Sequence, residues 1–298
     1  MIGEEGELSG MKKIALACCV LVSSAWAQVP TQTPHPMAVK TGFTVKKDVV
    51  YGKGTKGDLL ADIYLPEKKQ EKMPAVLDIH GGGWLNGTRY AMSPATEDMA
   101  AAGFVGMTIE YDLSGTPDNV HFPTALDQCW MALHWLRAHA AEYGVDPAKI
   151  AVAGSSAGGE LAALLGLGVG KPDSEPPVAA AIVYNGVLDL SDPGVSPKIV
   201  EPYLGGSCAE KKDECKKASP TQAIMMGAPP FFVGHGTKDE SVPYAQAEQF
   251  IDKLKQAKVA VMVFTAPGGP HTYWKDPRWV APNMDASIAF LKQALKVQ

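Results

Sequence analysis

One serine of the chain stands in a setting that could make its hydroxyl group a nucleophile. Ser156 lies between Gly154 and Gly158, directly after an apolar run at residues 150–153. A serine hydroxyl becomes reactive only when its geometry is fixed and its proton is removed. A tight turn from a strand into a helix fixes that geometry, and glycines two residues away on both sides leave room for the turn. Ser155 lacks this symmetric setting, so the pattern predicts Ser156 as the nucleophile.

A run of glycines after an earlier apolar stretch offers backbone donors. The segment HGGGW at residues 80–84 follows the apolar residues 75–79. Acyl transfer requires N–H groups aimed at the oxygen that becomes negative in the tetrahedral intermediate. Because glycines carry no side chain, their N–H groups can approach that oxygen closely. We therefore expect an oxyanion hole formed by the N–H groups of Gly82, Gly83 and Ala157, the residue after the serine.

Two later segments supply an acid and a base for the serine. Asp239 follows a predicted strand at residues 230–234, and His271 follows the last predicted strand at residues 259–264. A histidine in this role takes the serine proton and returns it to the leaving group, while the acid holds the histidine in the correct tautomer. Glu240 is adjacent to Asp239, but its side chain should point elsewhere. The order serine, Asp239, His271 along the chain is the one expected when the nucleophile lies on a strand-to-helix turn.

The other histidines near these segments are predicted to be structural. His80 and His235 should hydrogen-bond the loops that carry the glycines and Asp239, respectively. His121 lies in a loop that could line the mouth of the site.

Aromatic residues close to the motifs could contact a substrate. Trp84, Tyr203 and Trp274 could stack on a sugar or an aromatic acid, since such rings bind flat apolar faces well. Each of them could equally be part of the core. We take Trp84 and Trp274 as the candidate substrate-binding residues and leave the alternative open.

Strands and helices alternate along the chain, which predicts an α/β fold. Alternation of this kind gives a mostly parallel sheet with helices on both faces. The segment 186–226, rich in proline and glycine, resembles a lid-like insertion. The predicted strands lie at residues 43–51, 59–65, 75–79, 104–111, 150–153, 179–184, 230–234 and 259–264, and the predicted helices at 95–102, 122–143, 160–167, 245–257 and 284–296.

Composition and charge exclude some classes of partner. Of the 298 residues, 46% are hydrophobic and 20% are charged, which is typical of a globular protein. The formal net charge of −5 provides no basic surface for nucleic acid or an anionic membrane. A small-molecule or polysaccharide-derived substrate is the expected partner, and the oligomeric state stays open.

The N-terminal segment is typical of an export signal. Met11 is followed by two lysines, by an apolar run at residues 14–25, and by Ala25 and Ala27 at the positions that a signal peptidase prefers. The apolar run is shorter than the roughly 20 residues that span a bilayer. We therefore expect a signal peptide at 1–27, with Met11 as the alternative translation start, and a secreted or periplasmic protein with no stable membrane association. A flexible arm at 28–42 and one domain at 43–298 would follow.

Cysteine usage agrees with export. Cys208 and Cys215 flank a short polar segment, and in an oxidising compartment a small-loop disulfide between them is plausible. Cys129 lies in an apolar helical run and should be a buried apolar residue. The chain contains no CxxC or HExxH spacing, so no metal site is expected.

Taken together, four motifs resemble one enzyme family. HGGGW, GSSAGG, HGTKDESVP and the late His-Thr-Tyr are similar to motifs of the hormone-sensitive-lipase-like branch of α/β-hydrolases, and in particular of bacterial feruloyl- and acetyl-esterase-like (BD-FAE-like) carboxylesterases. The resemblance covers roughly residues 43–296. It implies an eight-stranded, mainly parallel sheet, no cofactor, and carboxylic esters of small acids as substrates. Glu160 departs from the family pattern, in which histidine or a neutral residue is commoner at this position.

The resemblance leaves several functions open. The main hypothesis is a secreted serine carboxylesterase that hydrolyses short-chain or plant-polysaccharide (acetyl or feruloyl) esters through an acyl-serine intermediate. An amide hydrolase, either an arylformamidase or a small peptidase, is the alternative within enzymes. A catalytically silent binding protein on the same fold is the alternative outside them.

Overall fold

An eight-stranded sheet forms the centre of the fold and carries helices on both faces. The structure is a computed structural model that describes residues 40–68, 70–115 and 120–297. The predicted signal peptide and most of the predicted arm lie outside these residues. The strands are β1 (Phe43–Gly54), β2 (Gly57–Pro66), β3 (Met73–Ile79), β4 (Val105–Ile109), β5 (Val145–Ser155), β6 (Ala180–Tyr184), β7 (Phe231–Gly236) and β8 (Val261–Ala266).

The strand order confirms the predicted fold class. The order across the sheet is β1-β2-β4-β3-β5-β6-β7-β8. Strand β2 runs antiparallel to both of its neighbours, β1 and β4. All the remaining neighbouring strands, from β4 across the sheet to β8, pair in parallel. The carboxyl ends of β3, β5, β6, β7 and β8 therefore meet at one edge, which is where ligand sites form in such sheets. The helices are α1 (Ser93–Ala101), α2 (Thr124–Ala138), α3 (Ala140–Tyr143), α4 (Ala157–Gly166), α5 (Pro197–Leu204), α6 (Lys212–Lys217), α7 (Tyr244–Gln256) and α8 (Val280–Leu295).

Two hydrophobic layers cover the two faces of the sheet. Side chains alternate along β3, so that Leu77 packs in the layer of α2 and α4, whereas Val76 packs in the layer of α1 and α8. Both residues are fully buried, as expected for a central strand of a parallel sheet. This packing on both faces makes the carboxyl edge of the sheet a rigid platform for the loops that follow it.

Some element boundaries differ from those predicted. The hairpin strands β1 and β2 extend to Gly54 and Gly57, which pair directly, so the turn is shorter than predicted. The predicted helix 122–143 is divided at His139, whose Nδ1 lies 2.8 Å from the Trp135 carbonyl oxygen. Helix α4 begins at Ala157, three residues earlier than predicted, because the turn at the preceding residue leads straight into it.

The insertion at residues 186–226, here called the cap segment, is packed onto the core. It contains α5 and α6, and Val200 and Tyr203 of α5 are buried in the layer of α2 and α4. Cys208 and Cys215 form a disulfide within it, with 5.3 Å between their Cα atoms, as the sequence suggested. Cys129 is buried and unpaired, which confirms its predicted role as an apolar residue.

Removing the disulfide should weaken the fold modestly. The bond closes a loop with a sequence separation of 7. A loop of this size restricts the unfolded chain enough to contribute about 2 kcal/mol to the free energy of unfolding. Urea denaturation of the double variant Cys208→Ser/Cys215→Ser should therefore show a lower midpoint than wild type, and reduced wild type should match the variant. An unchanged midpoint in both samples would contradict this prediction.

Candidate active site

Ser156 lies on a sharp turn between β5 and α4. Its backbone has φ 57° and ψ −120°, a conformation that is costly for any residue with a side chain. The Ser156 N–H donates to the Tyr184 carbonyl oxygen at 2.9 Å, and the Ser156 carbonyl oxygen accepts from the Glu160 N–H at 3.0 Å. These bonds tie the strained residue to β6 and to the helix, so its side chain stays presented at the edge of the sheet.

The two glycines around Ser156 are required by close backbone packing. A Cβ atom on Gly154 would lie 2.1 Å from the Gly158 carbonyl oxygen. A Cβ atom on Gly158 would lie 2.1 Å from the carbonyl oxygen of Ile79, at the end of β3. No side chain fits at either position without moving backbone. The structure thus supplies the physical reason for the glycine pattern from which the nucleophile was predicted.

The structure brings the three predicted catalytic side chains together. His271 Nε2 lies 3.0 Å from Ser156 Oγ, and His271 Nδ1 lies 2.7 Å from Asp239 Oδ2. The arrangement fits an imidazole that carries its proton on Nδ1, donates it to the carboxylate, and accepts the serine proton at Nε2. These contacts bridge 115 residues between the serine and the histidine.

Asp239 is held as a carboxylate by its surroundings. Its Oδ1 accepts the N–H groups of Ser241 and Val242 at 2.9 and 2.8 Å, and its Oδ2 lies 3.1 Å from His235 Nε2. Burial works to raise the pKa of Asp239, but the hydrogen bonds from His235, His271 and the Val242 N–H outweigh it. The pKa of Asp239 therefore lies well below its usual range.

Glu240 and His235, which lie close to Asp239 in the sequence, have the positions that the sequence predicts for them. The Glu240 side chain is exposed to solvent, whereas that of Asp239 is fully buried. His235 hydrogen-bonds the loop that holds Asp239, because its Nε2 also lies 3.0 Å from the Val242 carbonyl oxygen.

The glycine segment after β3, here called the oxyanion loop (residues 80–84), lies directly against the serine turn. A Cβ atom on Gly81 would lie 2.6 Å from the Ser155 carbonyl oxygen and 3.0 Å from Ser156 Cβ. Gly82 and Gly83 have φ values of 119° and 61°, which glycine adopts without strain. This backbone conformation brings the loop alongside the nucleophile.

Three backbone donors are available beside the nucleophile. In the part of the chain that the structure describes, the N–H groups of Gly82, Gly83 and Ala157 donate to no protein acceptor. Ala157 is the first residue of α4, so its N–H also benefits from the positive end of the helix dipole. The assignment of these three N–H groups to an oxyanion hole stays a prediction, and a negatively charged oxygen is the partner that such donors favour.

The side chain of His80, the first residue of the oxyanion loop, hydrogen-bonds the loop backbone. Its Nδ1 lies 2.8 Å from the Gly81 carbonyl oxygen, and its ring stacks on Tyr111 with 4.3 Å between the centroids. Burial lowers the pKa of His80 to about 4, so the ring is neutral at neutral pH. The side chain therefore acts as a fixed donor to the loop, which is the structural role predicted for it.

The prediction that Trp84 offers a stacking surface to substrate is wrong. Trp84 is 0% exposed, and its ring stacks on Tyr203 at 4.1 Å with an interplanar angle of 4°. Tyr203 is also 0% exposed. The cap segment covers the indole because α5 places Tyr203 against it, so neither ring has a face left for a ligand.

The other candidate contacts lie nearer the surface. Trp274 is half-buried against the layer of α1 and α8, and the Lys275 ammonium lies 4.6 Å from its ring centroid. Its role in substrate binding stays a prediction. His121 contacts the cap segment, since its Nδ1 lies 2.8 Å from the Pro202 carbonyl oxygen.

Two residues of the site were missed by sequence analysis. Asn185, fully buried, places its amide Nδ2 3.3 and 3.2 Å from Nδ1 and Nε2 of His271. Glu160 was noted only as unusual, and it lies buried one turn after the serine in α4. Asn185 directly follows β6, so its place at the carboxyl edge of the sheet was the signal that could have found it.

Residues 40–68, 70–115 and 120–297 contain neither a candidate metal centre nor a helix that could span a membrane. No group of three or more His, Cys, Asp or Glu side chains in these ranges could hold a metal ion. In the same ranges, no helix has the length and apolar character needed to cross a bilayer.

Comparison with known sequences identifies relatives of the chain. Residues 61–254 match the BD-FAE family. The esterase LipQ of Mycobacterium tuberculosis is 31% identical over 241 residues, which cover 76% of this chain and 56% of LipQ. The chain thus spans little more than half the length of that relative.

Solved structures share both the fold and part of the sequence. Esterase Est2 of the planctomycete Thermogutta terrifontis with propionate bound is 32% identical, with a TM-score of 0.70 over 85% of this chain and 94% of Est2. That esterase has also been solved with butyrate bound and after phosphorylation by paraoxon. A truncated carbohydrate esterase from gut microbiota, 23% identical over 87% of this chain and 99% of its own, shares the fold with a TM-score of 0.71. The chain therefore belongs to the BD-FAE family, an α/β-hydrolase family of carboxylesterases.

Proposed function

We propose that the protein is a serine carboxylesterase that hydrolyses esters of short carboxylic acids. The observation that carries the proposal is the alignment of Ser156, His271 and Asp239 beside backbone N–H groups that have no protein acceptor. An activated serine next to an oxyanion hole performs acyl transfer and needs no cofactor.

The proposed reaction has two halves. Ser156 Oγ attacks the ester carbonyl carbon as its proton passes to His271 Nε2, and the carbonyl oxygen becomes an oxyanion bound by the N–H groups of Gly82, Gly83 and Ala157. The carbon–oxygen bond to the alcohol then breaks, and the alcohol leaves with the proton from His271. Water attacks the acyl-serine with the same histidine as base, which releases the acid and restores the serine. Asp239 stabilises the imidazolium in both halves.

Short aliphatic acids are the proposed acyl groups. Est2, the relative described above, has been solved with propionate and with butyrate. In this chain, Ile199 of α5 lies against the oxyanion loop, within 3.0 Å of the position that a Cβ atom on Gly83 would occupy. A feruloyl group would gain most from an exposed aromatic face beside the oxyanion loop, and Trp84 and Tyr203, the aromatic pair there, offer none. We therefore favour acetyl to butyryl esters, including acetylated saccharides, over feruloyl esters.

A substrate panel tests this proposal. Purified protein should hydrolyse p-nitrophenyl acetate and butyrate faster than the laurate ester and methyl ferulate, and it should release acetate from acetylated xylan. Turnover of an aminoacyl anilide or formylkynurenine alone would move the protein to the amide hydrolases. Absence of turnover on every compound would favour a silent binding protein.

Export from the cytoplasm is a further part of the proposal. The signal-like segment at residues 1–27 and the disulfide between Cys208 and Cys215 support it, because disulfides persist in oxidising compartments. Expression of the full chain with a C-terminal tag should place the protein in the periplasm or medium, with an N-terminus near Gln28. A cytoplasmic protein that retains Met11 would contradict the proposed export.

Substitution at the oxyanion loop should lower kcat. In Gly82→Ala the new Cβ atom would lie 2.0 Å from the Asn86 carbonyl oxygen, so the loop must move. Displacing an oxyanion donor should cost on the order of 100-fold in kcat. Gly57→Ala is the matched control, because Gly57 also has a positive φ, 132°, but no atom within 4 Å of the new Cβ. Steady-state kinetics should separate the two variants, and equal losses of kcat would contradict the role given to Gly82.

A further inference from the structure

A buried carboxyl group that the proposed mechanism does not use lies one helical turn after the nucleophile. Glu160 in α4 is 0% exposed. Its Oε2 accepts a hydrogen bond from Trp84 Nε1 at 3.1 Å, and the Tyr203 hydroxyl lies 3.3 Å from Oε1 and 3.4 Å from Oε2. Among the described residues, no lysine, arginine or histidine forms a salt bridge with Glu160. A buried acid without a cation needs a specific reason to be there.

The partners of Glu160 belong to two other parts of the site. Trp84 directly follows Gly83 in the oxyanion loop and has a φ of 60°, which is strained for a tryptophan. Tyr203 belongs to α5 of the cap segment, and its carbonyl oxygen accepts from the Phe122 N–H at 2.7 Å. Because the Trp84 and Tyr203 rings stack on each other, the carboxyl group and the two rings form one unit. This unit joins the nucleophile helix, the oxyanion loop and the cap segment.

We propose that Glu160 is a positioning residue whose hydrogen bonds to Trp84 and Tyr203 fix the oxyanion loop and the cap segment against the nucleophile helix. The fixed side chain of Trp84 then holds the strained backbone of that residue in place. As a result, the N–H groups of Gly82 and Gly83 stay aimed at the reacting carbonyl. This inference rests on the proposed esterase function, because it assigns Glu160 a part in that reaction.

The protonation state of Glu160 follows from its surroundings. Burial raises the pKa of Glu160 well above its ordinary value, and the hydrogen bonds from its two aromatic partners only partly oppose that effect. The titratable groups that face it are Tyr203, Tyr111 and Cys129, and burial raises the pKa of each of these as well. Asp127 adds a further negative charge beside Cys129. Burial therefore favours the neutral form of Glu160, and its ionisation as pH rises places an unpaired charge inside this unit.

The sign of the pH dependence is defined by that raised pKa. In the unfolded chain Glu160 ionises near the ordinary value of about 4.3. Below that pH the neutral form of Glu160 makes its full contribution to the free energy of unfolding. This contribution is lost as pH rises toward the folded-state pKa. The contribution of Glu160 to stability should therefore fall as pH rises above about 4.3, whereas kcat should fall only when Glu160 ionises in the folded protein.

Two substitutions at Glu160 separate hydrogen bonding from filling of space. Glu160→Gln keeps the shape and cannot ionise, and its carbonyl oxygen in the place of Oε2 can accept from both Trp84 and Tyr203. Glu160→Leu fills similar volume but leaves the indole N–H and the phenol buried without partners. We expect Glu160→Leu to lower kcat on p-nitrophenyl acetate on the order of 10- to 100-fold with little change in KM, since misplacing the donors acts on the transition state. Glu160→Gln should recover most of the kcat at pH 7.

The dependence of kcat on pH distinguishes a positioning role from a merely structural one, because a merely structural role of Glu160 would leave this dependence the same in Glu160→Gln. Wild type should lose kcat on the alkaline side, and Glu160→Gln should keep its kcat there. Asp78 is the control, because burial raises its pKa to about 8 while it lies in β3 and hydrogen-bonds Thr96, away from the Glu160 unit. Asp78→Asn should retain the alkaline loss of kcat that Glu160→Gln lacks.

A measurement without substrate keeps this test separate from the proposed function. The stacked Trp84–Tyr203 pair contributes to near-ultraviolet circular dichroism, and its contribution is identified by difference from Trp84→Phe. That contribution should change at alkaline pH in wild type and stay constant in Glu160→Gln. If wild type hydrolyses no ester, the proposed function fails, and the same titration still tests whether Glu160 holds the pair.

Several results would overturn the inference. Glu160→Leu with wild-type kcat, or Glu160→Gln as impaired as Glu160→Leu, would show that these hydrogen bonds do not position the loop. If Glu160→Leu does not fold, Tyr203→Phe and Trp84→Phe replace it, since each removes one hydrogen-bond donor and keeps an aromatic ring. Wild-type kcat in both of these variants would equally overturn the inference.

Discussion

Ser156→Ala should abolish ester hydrolysis while leaving the fold intact. Without Oγ no acyl-serine forms, and loss of the nucleophile from a triad costs about a millionfold in kcat. Alanine adopts the positive φ of this turn as readily as serine does, so the free energy of unfolding should change by no more than about 0.5 kcal/mol. Initial rates on p-nitrophenyl acetate, together with a urea denaturation curve, provide the measurement.

The adjacent serine is a matched control for this variant. Ser155 ends β5, is buried, and carries no role in the proposed reaction. Ser155→Ala should keep the wild-type kcat. A Ser156→Ala enzyme that retains turnover above the hydroxide background, or equal losses in both variants, would refute Ser156 as the nucleophile.

Asp239→Asn should be the second most damaging substitution. The Asn amide would donate to His271 Nδ1, which forces the imidazole proton onto Nε2 and leaves no base facing Ser156 Oγ. A change of tautomer of this kind lowers kcat by about 10,000-fold. Glu240→Gln alters the next residue, whose exposed side chain takes no part in the site, and it should leave kcat unchanged. Kinetics that rank these two variants the other way would assign the acid to Glu240.

The same substitution should change the acid stability of the protein. Because the folded-state pKa of Asp239 is lower than its unfolded value, its carboxylate stabilises the fold at pH above about 3.9. That stability is lost as pH falls toward the folded-state pKa. Urea midpoints measured from pH 7 down to pH 3 should therefore decline less in Asp239→Asn than in wild type, from a lower starting value. Parallel declines would contradict the pKa assigned to Asp239.

The catalytic geometry could be predicted from sequence because its signals are local. Gly154 and Gly158 are needed within a few residues of Ser156, so the turn leaves its pattern in one short segment. Asp239 and His271 each follow an apolar strand, and parallel strands bring their carboxyl ends to one edge. The chain order and the sheet topology were therefore enough to predict that the three side chains meet, although neither gives a distance between them.

The environment of Trp84 could not be predicted in the same way. Its burial depends on Tyr203, which is far away in sequence, and on the path of the cap segment between β6 and β7. No periodicity in the local sequence indicates that α5 returns over the oxyanion loop. Glu160 shows the same limit, because a glutamate in an otherwise apolar helix reveals its partners only once Trp84 and Tyr203 are placed around it.

Asn185 illustrates a different limit. Its position after β6 was visible in the sequence, but an asparagine there is as typical of a turn as of a functional site. Only the contact of its amide with the His271 ring gives it a place in the site.

Covalent labelling with paraoxon tests the central claim most directly. Ser156 Oγ should attack the phosphorus atom and displace p-nitrophenolate, which leaves a diethylphosphoryl group on the serine. We expect release of one nitrophenolate per protein, a matching mass increase on the peptide that contains Ser156, and no reaction in Ser156→Ala. Labelling should also be slow in Asp239→Asn, since its histidine cannot accept the serine proton. A label on another residue, or nitrophenolate release that persists in Ser156→Ala, would contradict the assignment of Ser156 as the nucleophile.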